Sequence, residues 1–225
     1  MRYVLSLLLF LPYHIAQAKL ITATVGQVGS TVVTSREVQI ASIIEGWFML
    51  RATPTSERKK VNRKEWIVSI GSEAFQRVTS QVMLEHMVIL EAENFSVVST
   101  SPEEVKRTCD LIADELKAWN EWKKLEVSRA EMEQQVSRRL RAQAFLRFKS
   151  ESTGVQISEE EMKFYYEKNR VKFGNLPYDQ FKAGIRDYLT QKQLEERLKD
   201  WFEILKRKYH VRYIRPTLEN DSQTR

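Results

Sequence analysis

The residues that could support nucleophilic, acid–base or metal chemistry are few and scattered. The 225-residue chain has one cysteine, Cys109, and three histidines, His14, His86 and His210. A single cysteine excludes an intramolecular disulfide and a multi-cysteine metal site, and the histidines do not form a cluster. We interpret Cys109 as a small apolar residue on a helix face and His86 as a structural residue within a helix. The sequence therefore predicts no metal site and no cofactor.

Motifs of common enzymes are also missing from the sequence. Its seven glycines form no Gly-x-x-x-x-Gly-Lys phosphate loop and no dinucleotide fingerprint, and there is no Gly-x-Ser-x-Gly elbow. The acidic triplet Glu159-Glu160-Glu161 lies at a predicted helix start, where capping and the helix dipole explain it. We therefore predict no catalytic residue, no ATP-driven cycle and no enzymatic activity.

Residues 1–18 have the pattern of a secretory signal peptide. Arg2 supplies a positive start, Val4–Leu11 is a short apolar run, and Ala16-Gln17-Ala18 is a small-x-small cleavage site. We predict cleavage after Ala18 and a periplasmic location. No run of about 18 apolar residues occurs, so the sequence predicts no membrane-spanning helix.

The chain is basic, with 36 Lys and Arg against 30 Asp and Glu and a net charge of +6. Basic residues concentrate in the polar segment 51–64, on the stretch 138–149 and at Lys206–Lys208. Acidic residues are interleaved almost throughout, and together with the predicted export this argues against nucleic-acid binding. We interpret the basic segments as solvated surface. The alternative is weak contact with an anionic membrane surface or an acidic partner.

The elements that would position any site are mainly helices. Low glycine and proline contents, seven and five residues, favour long helices over a turn-rich β fold. Capping signals at Thr34, Ser101, Ser128 and Ser158 mark helix starts. Together with apolar residues at helical spacing, they predict six helices that begin near residues 34, 72, 101, 128, 158 and 179.

Two β-prone segments frame these helices. Ile21–Val28 and Thr31–Val33 are joined by the turn pair Gly29-Ser30, and Val211–Ile214 follows the last helix. Short apolar strands are not stable alone in water. We therefore predict that the first and last segments of the mature chain pair with each other.

Five segments, taken in order, carry a resemblance to a known family. They are a strand–turn–strand–helix start (Val28–Val38), an apolar second helix (Val82–Ala92), a link to the third helix (Ser99–Val105), an acidic-capped helix (Ile157–Asn169), and a final helix and strand (Phe181–Ile214). This order resembles the SurA-like family of periplasmic chaperones and foldases. The resemblance implies a mainly α fold, a SurA N-domain-like helical bundle with a small β element that pairs the N-terminal hairpin with the C-terminal strand.

The same resemblance implies the domain organisation. It places one chaperone domain at residues 19–216, with an N-terminal part at 19–172 and a returning helix and strand at 178–216, and leaves a polar tail at 217–225. In the family, the segment similar to Ile157–Asn169 precedes a parvulin-type prolyl isomerase domain. Only residues 174–178 remain between Phe173 and Asp179, whereas a domain needs about 50 residues. We therefore expect no isomerase activity.

The resemblance thus implies an ATP-independent chaperone, a holdase, for unfolded or nascent outer-membrane and secreted proteins. An alternative is a dedicated interaction subunit of one cell-envelope assembly or secretion complex. Flat aromatic side chains suit weak, adaptable binding of unfolded chains. We therefore name five candidate peptide-binding residues near helix ends or connecting segments, Trp47, Phe48, Trp66, Trp119 and Trp122. The alternative for each of these residues is packing in the core or at its boundary.

Overall fold

The fold is mainly helical with one small antiparallel sheet, as predicted. This computed structural model describes residues 22–95 and 100–215, so the predicted signal peptide and the polar tail lie outside the described residues. The strands are β1 (Thr24–Val28), β2 (Thr31–Thr34) and β3 (Arg212–Tyr213). The helices are α1 (Ser35–Ala52), α2 (Glu73–Phe95), α3 (Pro102–Leu116), α4 (Asn120–Lys124), α5 (Arg129–Ser152), α6 (Glu159–Lys168), α7 (Arg170–Phe173) and α8 (Tyr178–Lys208).

The sheet joins the two ends of the described chain. Strand β1 lies in the centre and pairs antiparallel with β2 and with β3. Gly26 lies opposite Tyr213, and the Ile214 N–H donates to the Val25 carbonyl at 3.0 Å. The predicted pairing of the first and last segments is therefore confirmed.

A glycine lets the central strand approach α2 closely. A Cβ at Gly26 would lie 2.7 Å from Met83 Sδ, well inside van der Waals contact. Because Gly26 has no side chain, Met83 of α2 packs directly on the β1 backbone.

Local capping fixes where the helices begin. The side chains of Thr34, Ser101, Ser128 and Ser158 each accept a hydrogen bond from the first turn of the following helix. The four predicted helix starts are confirmed, because these oxygens satisfy N–H groups that lack a partner within the helix. The prediction of six helices missed α4 and α7, which have five and four residues and are too short to show an apolar period.

Apolar packing divides among four clusters of buried side chains. The first joins α1 to α3, α4 and the start of α5, and the second joins the sheet to α2 and the end of α8. The third joins α2, α5 and α8, and the fourth joins α6, α7 and the start of α8. With 31 residues, α8 is about 46 Å long and so belongs to three clusters. No helix within residues 22–95 or 100–215 has the length and apolar character needed to cross a membrane.

Candidate functional site

The five aromatic residues predicted to bind peptide all belong to the first core cluster. Trp47, Trp66 and Trp122 are buried, and Phe48 and Trp119 pack against them while partly exposed. The Trp66 and Trp119 rings meet edge to face at 5.8 Å. The five residues therefore pack in the core or at its boundary, which was the alternative for each of them. A peptide-binding role stays a prediction.

The surface between the early helices and the last helix, α8, is lined by residues other than these five. The first cluster contains no residue of α8, so its aromatic side chains do not face that helix. An open depression lies beside the contact of α8 with α2. None of the five aromatic residues lines this depression, and their role in peptide binding stays a prediction.

Three adjoining depressions follow one face of α2. One lies against β3, one against α8 and one against α5, with volumes of about 460, 540 and 180 Å³. Ser80 and Tyr213 line both the first and the second, and Gln81 and Leu84 line both the second and the third. We call this continuous feature, which runs along α2 from Phe75 to Val88, the α2 groove.

The α2 groove has an apolar floor and a charged rim. Leu84 of α2 and Leu198 and Phe202 of α8 contribute apolar surface beside the middle depression. On the rim, Lys206 Nζ donates to Glu203 Oε1 at 2.6 Å. An apolar floor with ionic edges suits a chain segment that presents apolar and polar side chains alternately.

One end of the α2 groove is formed by the edge strand β3. The side chains of Tyr213 and Ile214 line this end and are exposed to 57% and 41%. From Phe75 to Val88 the groove follows α2 for about 20 Å, which matches about six residues of extended chain. The arrangement can therefore hold a short extended segment by shape and apolar contact.

A buried ionic network supports the wall of the groove between α2 and α5. Arg138 of α5 pairs with Glu37 of α1 and with Glu85 of α2, the latter through Nε to Oε2 at 3.1 Å. His86 Nε2 lies 2.8 Å from the same Glu37 carboxylate. The neighbouring Arg139 pairs with Glu85 as well, at 3.3 Å. One arginine pair thus ties three helices together, and the interpretation of His86 as structural agrees with this placement.

The network changes the acidity of Glu37. Burial acts to raise the pKa of Glu37, but the hydrogen bond from His86 and the charge of Arg138 outweigh it, so the pKa lies below its usual range. The carboxylate is therefore ionised at neutral pH. An ionised, buried carboxylate is stable here only because its charge is paired and hydrogen-bonded.

A second polar contact fixes the end of α8 on α2. Glu91 Oε2 accepts hydrogen bonds from Lys208 Nζ and from the Tyr209 hydroxyl, both at 2.6 Å. The Tyr209 carbonyl in turn accepts the Gly29 N–H at 2.7 Å. Burial acts to raise the pKa of Glu91, but these two donors lower it overall. Glu91 thereby holds the helix that forms one side of the groove.

Sequence reasoning missed both polar contacts and the residues of the groove. Glu37, His86 and Arg138 lie 49 to 101 positions apart, on three helices, so no local spacing connects them. The one usable signal was a charged residue on the apolar face of a predicted helix, as at Glu91 within α2.

Within residues 22–95 and 100–215, no group of three or more His, Cys, Asp or Glu side chains could hold a metal ion. No protein-family model, curated protein or solved structure matches the chain.

Proposed function

We propose that the protein is an ATP-independent periplasmic holdase that binds extended apolar segments of unfolded outer-membrane or secreted proteins in the α2 groove. The observation that carries the proposal is the groove itself, an open apolar floor between α2, α8 and α5 that ends at the edge strand β3. The resemblance of the sequence to SurA-like chaperones supports the same function.

The chemistry of the groove fits such clients. Strands of outer-membrane barrels alternate apolar and polar side chains, so an extended client segment would place apolar groups on Leu84, Leu198 and Phe202. Its polar groups would then face rim residues such as Lys199 and Glu203. Binding by a few apolar contacts and no enclosed pocket suits a micromolar affinity, about −8 kcal/mol. Clients would therefore exchange without an energy source.

The test is suppression of aggregation of a urea-denatured outer-membrane barrel protein on dilution. Leu198→Asp places a charge in the middle of the groove, at a partly exposed residue that belongs to none of the four clusters. Leu111→Asp is the matched control, because Leu111 is exposed to 44% on α3 and lines no part of the groove. We expect the unmodified chain and Leu111→Asp to suppress aggregation, and Leu198→Asp to lose most of the effect.

Three results would overturn the proposal. If the unmodified chain does not suppress aggregation but co-purifies with a single envelope protein in fixed stoichiometry, the protein is the dedicated interaction subunit. If the purified chain isomerises a proline-containing model peptide, it is a foldase. Equal activity of Leu198→Asp and Leu111→Asp would remove the α2 groove from the mechanism.

A further inference from the structure

The helix pair α6–α7 exposes large apolar side chains at its end. Val171 is exposed to 97%, Phe164 to 68% and Leu176 to 49%, and Val171 is the most exposed large apolar residue of the part of the chain that the structure describes. All three lie within residues 163–176, which we call the α6–α7 tip. Clustered exposure of this kind marks an interaction surface more often than scattered single residues do.

The α6–α7 tip is also cationic. It contains Lys163, Lys168, Arg170 and Lys172 against the single acid Glu167, a net charge of +3. Between residues 100 and 215 and in 22–95, none of these four cations forms an ion pair, whereas Lys182 on the neighbouring helix pairs with Glu159 at 2.7 Å. Within the described residues, these four cations are therefore not held in ion pairs.

The cations and the apolar residues are interleaved. Phe164 and Lys168 lie at positions i and i+4 of α6, the spacing of one helix face, and Val171 follows in α7. Lys168 Nζ lies 5.9 Å from the Phe164 ring centroid, and Arg170 Cζ lies 4.6 Å from that of Tyr166. The charged groups of Lys168 and Arg170 thus lie over aromatic rings in cation–π contacts, so charge and apolar surface adjoin at the tip.

The packing beneath the tip leaves these side chains free for binding. The fourth cluster holds α6, α7 and the start of α8 together through Met162, Tyr166 and Ile185, all buried. Phe164, Val171 and Leu176 are not members of that cluster. The fold therefore does not depend on them, and their exposure has no structural purpose that the described residues show.

We propose that the α6–α7 tip binds the surface of an anionic phospholipid bilayer. Apolar side chains that project between unpaired cations match a planar surface of anionic headgroups over acyl chains. Phe164, Val171 and Leu176 enter the boundary between headgroups and acyl chains, and Lys168, Arg170 and Lys172 contact the phosphates. The contact is peripheral and reversible, and it does not depend on the proposed holdase function.

The test is co-sedimentation of the purified chain with phosphatidylcholine vesicles, with and without phosphatidylglycerol. We expect binding only to vesicles that contain phosphatidylglycerol, and binding at least about tenfold weaker for the double variant Lys168→Gln, Lys172→Gln. The double variant Lys59→Gln, Lys60→Gln is the matched control, because it removes the same charge from an exposed 3-10 turn elsewhere. Val171→Ser tests the apolar contribution to vesicle binding. Its control is Met49→Ser, because Met49 is exposed to 60% on α1.

Several outcomes would overturn the membrane proposal. The tip would not recognise the anionic surface if the chain bound equally to vesicles with and without phosphatidylglycerol. The same would follow if the Lys59 and Lys60 control lost as much vesicle binding as the tip variant. Binding of the tip to an acidic protein, with no vesicle binding, would make it a protein-docking surface. Because tip variants leave the α2 groove unchanged, aggregation suppression by each variant separates a failure here from a failure of the proposed function.

Discussion

The indole ring of Trp66 lies directly against the backbone of Gly46 in α1. A Cβ added at Gly46 would lie 2.4 Å from Trp66 Cγ, closer than any real Cβ contact. Trp66 is itself buried and held by Trp119, whose ring meets it edge to face. Any side chain at position 46 would therefore have to displace a buried ring, which explains the glycine.

We therefore predict that Gly46→Ala lowers the free energy of unfolding by about 1–3 kcal/mol, although alanine is the better helix former. Gly184→Ala is the control, because no atom lies within 4 Å of a Cβ at that position in α8. The control should gain about 0.5–1 kcal/mol. Urea unfolding of both variants measures the difference, and a stabilised Gly46→Ala would contradict the described contact.

The ionic network between α1, α2 and α5 predicts an asymmetry between two arginines of α5. Arg138 is buried and pairs with Glu37 and Glu85, so Arg138→Met takes a buried positive charge away from both carboxylates and should lower the free energy of unfolding by about 3–5 kcal/mol. Arg129→Met also removes two ion pairs, but the Arg129 side chain is 40% exposed. This substitution should therefore lower the free energy of unfolding by less than about 1 kcal/mol. Chemical denaturation of both variants measures the two free energies of unfolding. Equal decreases would show that the network is not buried.

Glu131 predicts how stability changes with pH. The hydrogen bond from Arg36 and those with Ser128 lower its pKa to about 2 in the folded chain. A carboxylate whose pKa is lowered by folding stabilises the fold at pH values above its pKa in the unfolded chain, about 4.3. This stabilisation is lost as the pH falls from there towards about 2. Glu131→Gln should therefore destabilise the chain at about pH 7 and match the unmodified chain near about pH 2. A difference that is the same at both pH values would contradict the assignment.

The burial of Cys109 predicts that its thiol does not react with thiol reagents in the folded chain. The side chain is fully buried in α3, and burial raises its pKa to about 11. Because the thiolate is the reactive form, labelling with a disulfide reagent at neutral pH should be slow in buffer and fast in denaturant. Fast labelling in buffer would show that the first cluster opens near Cys109.

Local signals in the sequence predict most of the fold. A capping residue acts within one helical turn, so Thr34, Ser101, Ser128 and Ser158 predict helix starts without knowledge of the tertiary structure. The pairing of β1 with β3 could be predicted because two short strands at the chain ends have no other partner. In contrast, α4 and α7 have fewer than two turns and leave no periodic signal.

The candidate site could not be predicted in the same way. The tryptophans at helix ends were candidates for peptide binding because their type and position suit peptide contact, but three of them are buried beneath other side chains. Leu84, Leu198 and Tyr213 line the α2 groove because three distant segments converge there. Neither the convergence nor the exposure of Tyr213 depends on local sequence, so only the tertiary structure shows them.

Site-specific photo-cross-linking in cells tests the central claim most directly. Ser80 is exposed and lies where two depressions of the α2 groove meet, and Ser152 is an exposed serine on α5 that lines no part of the groove. Both hydroxyls donate only to a carbonyl of their own helix, so a photoreactive residue at either position changes little else. We predict that the probe at Ser80 captures many nascent outer-membrane and secreted proteins and that the probe at Ser152 does not. Equal capture at the two positions, or no capture at Ser80, would contradict the account.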